Sequence, residues 1–200
     1  MKPRILAITG SQRTNGNSYQ LAKAVLNSAN CESSIIQLSE QKIDYCTICG
    51  ECIDKDCVLD DSLGEIMEKM NEADGIVFVV PRYLLAPSLF TAFLERIATI
   101  THIRKHQGYG GAPVHPEYSL YKGLKPFCLF AVSGRGDFGE DLLGYLVRHS
   151  EYVGLKHVKN DKPPFLAVDV LAGDRKGEVL GNLEALSQCK DLLEKLLTQL

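Results

Sequence analysis

A regular alternation of short apolar runs with stretches of helical spacing limits how this chain can fold more than any other feature. Residues 4–9 form an apolar run closed by Gly10, the continuous pattern of a strand buried on both faces. From Asn17 onward, Leu21, Ala22, Val25, Leu26 and Ala29 fall at helical spacing, with Asn17 or Ser18 as the natural amino-terminal cap. Residues 34–38 read as a second strand, and residues 75–80, closed by Pro81, as the third and clearest. Between them, Ser62 and Glu65 suit a capping box that opens a helix through Ile66, Met67 and Met70. A further amphipathic helix carries Leu89, Ala92, Phe93, Arg96, Ile97 and Ile100, followed by an unpatterned polar excursion over 101–123 whose default is a solvated loop. Residues 127–133 are a fourth strand, 141–153 a helix, 166–170 a fifth strand, and a leucine stripe from Leu183 to Leu200 marks the last helix. Strands separated by helices pair in parallel through crossovers. The expected fold is α/β: one domain over 1–200 on an open five-stranded parallel sheet, helices on both faces, in the flavodoxin-like order 2-1-3-4-5. Ligands of such sheets bind beyond the carboxyl ends of the strands, where the order reverses.

Composition removes several classes of function. Hydrophobic residues at 45% and charged residues at 24% suit a globular chain, not a disordered one. A formal net charge of -3 leaves no basic stripe, so nucleic acid is not an expected partner. No apolar run approaches the roughly 20 residues that cross a bilayer, and the amino terminus lacks a signal-peptide pattern, so the expectation is a cytoplasmic protein without membrane association. Seven cysteines in such a chain point to reduced thiols, and so to metal binding or redox chemistry before disulfides.

The loop after the first strand, Thr9-Gly10-Ser11-Gln12-Arg13-Thr14-Asn15-Gly16-Asn17-Ser18, lacks the P-loop lysine and the three-glycine dinucleotide fingerprint. It offers hydroxyls, amides, one guanidinium and a helix amino terminus, a donor set suited to a phosphate, although a capped polar turn has the same composition. Pro81-Arg82-Tyr83-Leu84 after strand 3 and Ser133-Gly134-Arg135-Gly136 after strand 4 reach the same sheet edge. There an aromatic side chain and closely approaching glycines suit a flat ring.

Cys46, Cys49, Cys52 and Cys57 place four thiols in one short segment, within a cysteine-rich insertion over 39–61 after strand 2. Steps of three residues, wrapped round one point with a nearby fourth thiol, suit the irons of a [4Fe–4S] cluster, while structural zinc remains the alternative. Cys128 and Cys189 fall on apolar stripes and read as small core residues, and Cys31 follows a helix. The five histidines show no metal-ligand spacing, and neither a Ser/His/Asp nor a Cys/His pairing is persuasive.

The loop from Gly10 to Ser18, the Ala73-Asp74-Gly75 lead into strand 3, Pro81 with Tyr83 and the compact cysteine motif together resemble the iron-sulfur flavoproteins, a branch of the NADPH-dependent FMN reductase-like flavodoxin-fold proteins. The resemblance implies that Ser11, Arg13, Thr14, Asn15, Asn17 and Ser18 surround the FMN phosphate. It also implies that Pro81, Arg82, Tyr83, Leu84, Ser133, Gly134 and Gly136 border the isoalloxazine, and that the four cysteines bind [4Fe–4S]. Gln12 stands where the family usually has proline, and Arg82 replaces a small residue, where it is a candidate to stabilise reduced, anionic flavin. The expected function is an oxidoreductase passing electrons between FMN and the cluster, with NAD(P)H as a candidate donor and no side chain required as acid or base. Its rivals are an NAD(P)H-dependent FMN or quinone reductase and a non-enzymatic flavodoxin-like module holding zinc. A homo-oligomer, dimer or tetramer, is expected, with a ferredoxin-like protein or a small molecule as redox partner.

Overall fold

The computed structural model describes residues 1–82, 86–121, 123–134 and 140–200. The elements run β1 (Arg4–Thr9), α1 (Asn17–Leu26), β2 (Glu32–Gln37), α2 (Leu63–Glu72), β3 (Gly75–Arg82), α3 (Ser88–His106), β4 (Lys125–Ser133), α4 (Glu140–Tyr152), β5 (Leu155–His157), β6 (Val168–Leu171) and α5 (Leu183–Leu197). All the strand pairs are parallel, in the order β2-β1-β3-β4-β5, with β6 also on β4. The expected flavodoxin-like order is present. Its outer position differs from expectation, because two short strands share it: β5 pairs with Lys125, Pro126 and Phe127 at the start of β4, and β6 with residues from Phe130 to Ser133 at its end. A tripeptide strand carries too short a pattern to stand out in sequence.

The side-chain parity of the strands divides the core. Ile5, Ala7, Val77, Val79, Cys128 and Phe130 point toward α1 and α5, while Leu6, Ile8, Ile76, Phe78 and Leu129 point toward α2, α3 and α4. On the latter face Phe78 meets Phe90 and Phe127 edge-on, with centroids 5.5 and 5.7 Å apart. Each such fully buried ring contributes about 1.5–3 kcal/mol by removal from water. Cys128 and Cys189 are buried on the α1/α5 side, as their stripes implied.

Pro81 does not close β3: it pairs with Val132, and Arg82 with Ser133. Pro81 shares the parity of Val79, whose carbonyl accepts from Gly10 N–H on the β1 side. Since β1 has ended at Thr9, the missing N–H of Pro81 removes no ladder bond. The cap of α1 is Gly16, not Asn17 or Ser18. At α2 the capping box does not form; the Asp61 carboxylate accepts from Leu63 N–H at 3.1 Å instead. The polar excursion is helical through His106, where Thr101 donates back to the Ile97 carbonyl, and α3 ends on Gln107 at φ 54°. The rest folds back over the molecule far enough to bury Tyr121, whose hydroxyl donates to Met70 Sδ at 3.3 Å. Among the described residues no helix is long and apolar enough to cross a membrane.

Candidate functional site

Two regions hold the residues singled out in the sequence. The first is a cleft of about 220 Å³ at the carboxyl ends of β1, β3, β4 and β6. Ser11, Arg13, Asn17 and Ser18 line it from the first loop, Pro81 and Arg82 from the end of β3, and Ser133 and Gly134 from the end of β4. Tyr83, Leu84 and Gly136 lie outside the described residues.

The first loop turns sharply because Gly10 has no side chain: a Cβ there would come within 2.9 Å of the Phe90 ring. Ser11 Oγ accepts from Arg13 N–H at 3.0 Å, and Gly16 N–H donates to the Arg13 carbonyl. Asn15 adopts φ 54°, a left-handed conformation that asparagine tolerates, and its N–H donates to Gln37 Oε1 at 2.6 Å. No side chain among the described residues caps the first turn of α1, which leaves orphan N–H groups and a positive dipole end where Asn17 and Ser18 line the cleft. Ser18 on that turn is 1% exposed, and its hydroxyl has no hydrogen-bond partner among the described residues. A buried hydroxyl left unpaired costs about 1–3 kcal/mol, so this corner is built for an acceptor the chain does not itself supply. The donor set fits the phosphate of a flavin mononucleotide.

Not every expected phosphate contact is aimed there. Thr14 Oγ1 meets Ser39 Oγ at 3.4 Å, and Thr14 and Asn15 stand outside the cleft lining. Asn17 lines the cleft but commits its side chain to the segment after β6: Nδ2 donates to the Gly173 carbonyl at 2.9 Å, and Oδ1 accepts from Gly177 N–H at 2.8 Å. Arg13 donates to the Asp174 carbonyl and carboxylate at 3.3 and 3.5 Å. Ala172, Gly173 and Asp174 complete the lining, and nothing in their local sequence marks them. Arg82 is also engaged: its Nη2 donates to Ser133 Oγ at 3.3 Å and lies 3.7 Å from the Asp169 carboxylate, with both charged side chains nearly buried. Asp169 on β6 thus balances the charge expected to meet a reduced flavin.

The second region is the cysteine loop, residues 41–62, which carries no helix or strand. Its two ends are stitched together. Ser62 N–H donates to the Lys42 carbonyl at 2.9 Å, Lys42 Nζ to the Asp60 carbonyl at 2.6 Å, and Asp44 N–H to the Asp61 carboxylate at 2.9 Å. Two arginines of α3 then anchor it. Arg96, 1% exposed, pairs with Asp61 and donates to the Asp44 carbonyl at 3.1 Å and, through Nη2, to Cys57 Sγ at 3.0 Å. Arg104 donates to the carbonyls of Cys52 and Lys55 at 3.0 and 2.9 Å and to the Tyr118 hydroxyl. Burial pushes the Asp61 carboxyl up, but the bonds from Asp44, Arg96 and Leu63 outweigh it and hold the group below the usual carboxylate range. Burial also pushes the Cys52 thiol up.

The four thiols do not wrap one point as their spacing suggested. Cys46 lines an apolar groove of about 650 Å³ between α3 and α4, together with Ile48, Tyr109, Tyr145, His149 and Tyr152. Cys49 is exposed, and Cys52 is buried. Among the described residues no group of three His, Cys, Asp or Glu side chains is drawn together as a metal site. Thiols do not attract one another, and convergence of metal ligands is coupled to the metal's own binding energy. The chemistry of the donor set nonetheless fits an iron-sulfur cluster: four thiols share one loop, and one of them already accepts an N–H···S bond.

Comparison with known proteins agrees with the fold. Residues 3–158 match the family model described as NADPH-dependent FMN reductase. Among curated relatives, the chain is 38% identical over 85 residues to an iron-sulfur flavoprotein of Methanosarcina thermophila, covering 40% of this chain and 44% of that one. It is 31% identical over 117 residues to an iron-sulfur flavoprotein of Archaeoglobus fulgidus, covering 56% and 53%. The chain thus spans about half the length of the curated relatives it matches. Among solved structures, an NADH:FMN oxidoreductase superposes with a TM-score of 0.60 at 17% identity, over 99% of this chain and 90% of that one. At that identity the likeness shows the fold.

Proposed function

Because the chain belongs to the NADPH-dependent FMN reductase family, we propose that it is an FMN-dependent oxidoreductase that passes electrons between the flavin and a [4Fe–4S] cluster held by Cys46, Cys49, Cys52 and Cys57. The observation that carries the flavin half is the uncapped amino terminus of α1 with its buried, unpaired Ser18 hydroxyl. Ser11, Arg13 and Ser18 with the α1 N–H groups would hold the phosphate, and Pro81, Arg82, Ser133 and Gly134 would border the ring. FMN exchanges one or two electrons and the cluster one, so together they divide a two-electron donation into single steps. The chain's own part is to bind, orient and exclude water. The Asp169 carboxylate holds Arg82 and Ser133 in place, where they would border the ring. Asp61 and Arg96 hold Cys57, and Arg104 holds the backbone at Cys52. NAD(P)H is the proposed donor, and a ferredoxin-like protein or a small molecule the proposed acceptor.

The names of the relatives and the four-thiol loop support the cluster half. Protein purified without oxygen should be brown, with about four irons and four sulfides per chain, and Cys49→Ala should remove them while sparing most of the FMN. Stoichiometric zinc without iron would sink the cluster and leave the second reading, an NAD(P)H-dependent FMN or quinone reductase.

A further inference from the structure

Arg96 is buried on α3, as are Phe93, Ile97 and Ile100 near it on the helix. Burying a guanidinium costs several kcal/mol unless partners replace its water. Asp61 balances the charge, and the Asp44 carbonyl shares the same Nη1 amino group. These two contacts suffice to latch the ends of the cysteine loop. The other amino group serves no latch: Nη2 donates to Cys57 Sγ at 3.0 Å. Arg104, two helical turns further along α3, grips the same loop through the carbonyls of Cys52 and Lys55. One arginine therefore fixes backbone, and the other also addresses a ligand atom.

We propose that Arg96 is the positioning residue that sets the redox level of the cysteine loop, its Nη2–H···S bond to Cys57 stabilising the reduced form of the centre those cysteines hold. The inference rests on the [4Fe–4S] reading above. Reduction of a thiolate-bound cluster adds negative charge that spreads onto its sulfurs, so an N–H donor aimed at a ligand sulfur binds the reduced form more tightly and raises the potential. A buried donor acts more strongly than an exposed one because little water competes with it. Asp61 neutralises Arg96 from the side away from the sulfur bond, so the effect comes from the directed N–H and depends on the planar fork that lysine lacks.

The test is a potentiometric titration of the anaerobically purified full chain, followed by the electron paramagnetic resonance of the reduced cluster, with the FMN midpoint as internal reference. Arg96→Lys should lower the reduced-to-oxidised ratio at fixed potential about tenfold, a shift of about 59 mV for one electron. The FMN midpoint should not move. An unshifted midpoint in iron-loaded Arg96→Lys overturns the proposal. Should Arg96→Lys fail to fold, the unsubstituted protein decides: arginine labelled with nitrogen-15 should show a hyperfine coupling to the reduced cluster, and its absence overturns the role. Iron-free unsubstituted protein overturns the cluster reading itself, so the two failures are told apart.

Discussion

Ser18 is the residue on which the flavin reading is most open to test. Its hydroxyl is buried without a partner among the described residues, so Ser18→Ala should leave the flavin-free protein as stable or slightly more so, while weakening FMN by about 1–3 kcal/mol. Thermal unfolding with and without FMN measures both; equal destabilisation in both states would place the hydroxyl in the core and not in the site. Arg13 poses a different question, since Asp174, 99% exposed, shares its guanidinium with any incoming phosphate. Asp174→Asn should tighten FMN by about 1 kcal/mol or less, the range for exposed ion pairs, and leave riboflavin unchanged; a titration with both ligands checks this. The donors were readable from residue types in one loop. Asn17 bracing Gly173 and Gly177 was not, because a bond across 160 positions leaves no local trace. Arg96 did leave one: an arginine on an otherwise apolar helical stripe marks a buried charge in need of a partner.

At the scale of elements, the split outer strand is where sequence and structure part. β5 ends at His157, whose Nε2 donates to the Leu166 carbonyl at 2.9 Å and so holds the segment between β5 and β6 against β4. Burial lowers the pKa of His157, outweighing the bond to Leu166. The folded chain therefore takes up that proton only below the usual histidine value of about 6.5, and the unfolded chain binds more protons just under it. The contribution to stability is complete above that value and is lost as pH falls toward the lower folded pKa. Denaturant midpoints at about pH 7.5 and about pH 5 should differ less in His157→Gln than in the unsubstituted chain. The extension of α3 to His106 was hidden for a related reason: its last turn is polar, and a buried threonine bond and packing of Ile103, not amphipathic spacing, sustain it.

At the scale of the whole molecule, the cysteine loop leaves Tyr45, Ile48 and Val58 in water, and Ile48 lines the same groove as Cys46. Exposed apolar side chains next to a concavity support an interface. We propose that identical chains assemble through this surface as a closed dimer or tetramer, bringing the flavin of one against the cysteine loop of another. Sedimentation should find the oligomer, and Ile48→Asp should shift it toward monomer; full electron transfer from a demonstrated monomer would refute the shared site. Periodicity alone determined the parallel sheet, because strand and helix repeats are local and crossovers have one favoured hand, while the order 2-1-3-4-5 was an expectation from the flavodoxin-like pattern that the fold bears out. Spacing alone determined that four thiols share one loop. Only tertiary structure decided which groups those loops would actually meet. Asp174 reaches the cleft from a segment far along the chain, Asp169 on β6 meets Arg82 at its edge, and Arg96 reaches Cys57 across 39 positions. Charges buried or shared in this way are chosen by what the fold brings within about 3–4 Å, and sequence order carries no record of that distance.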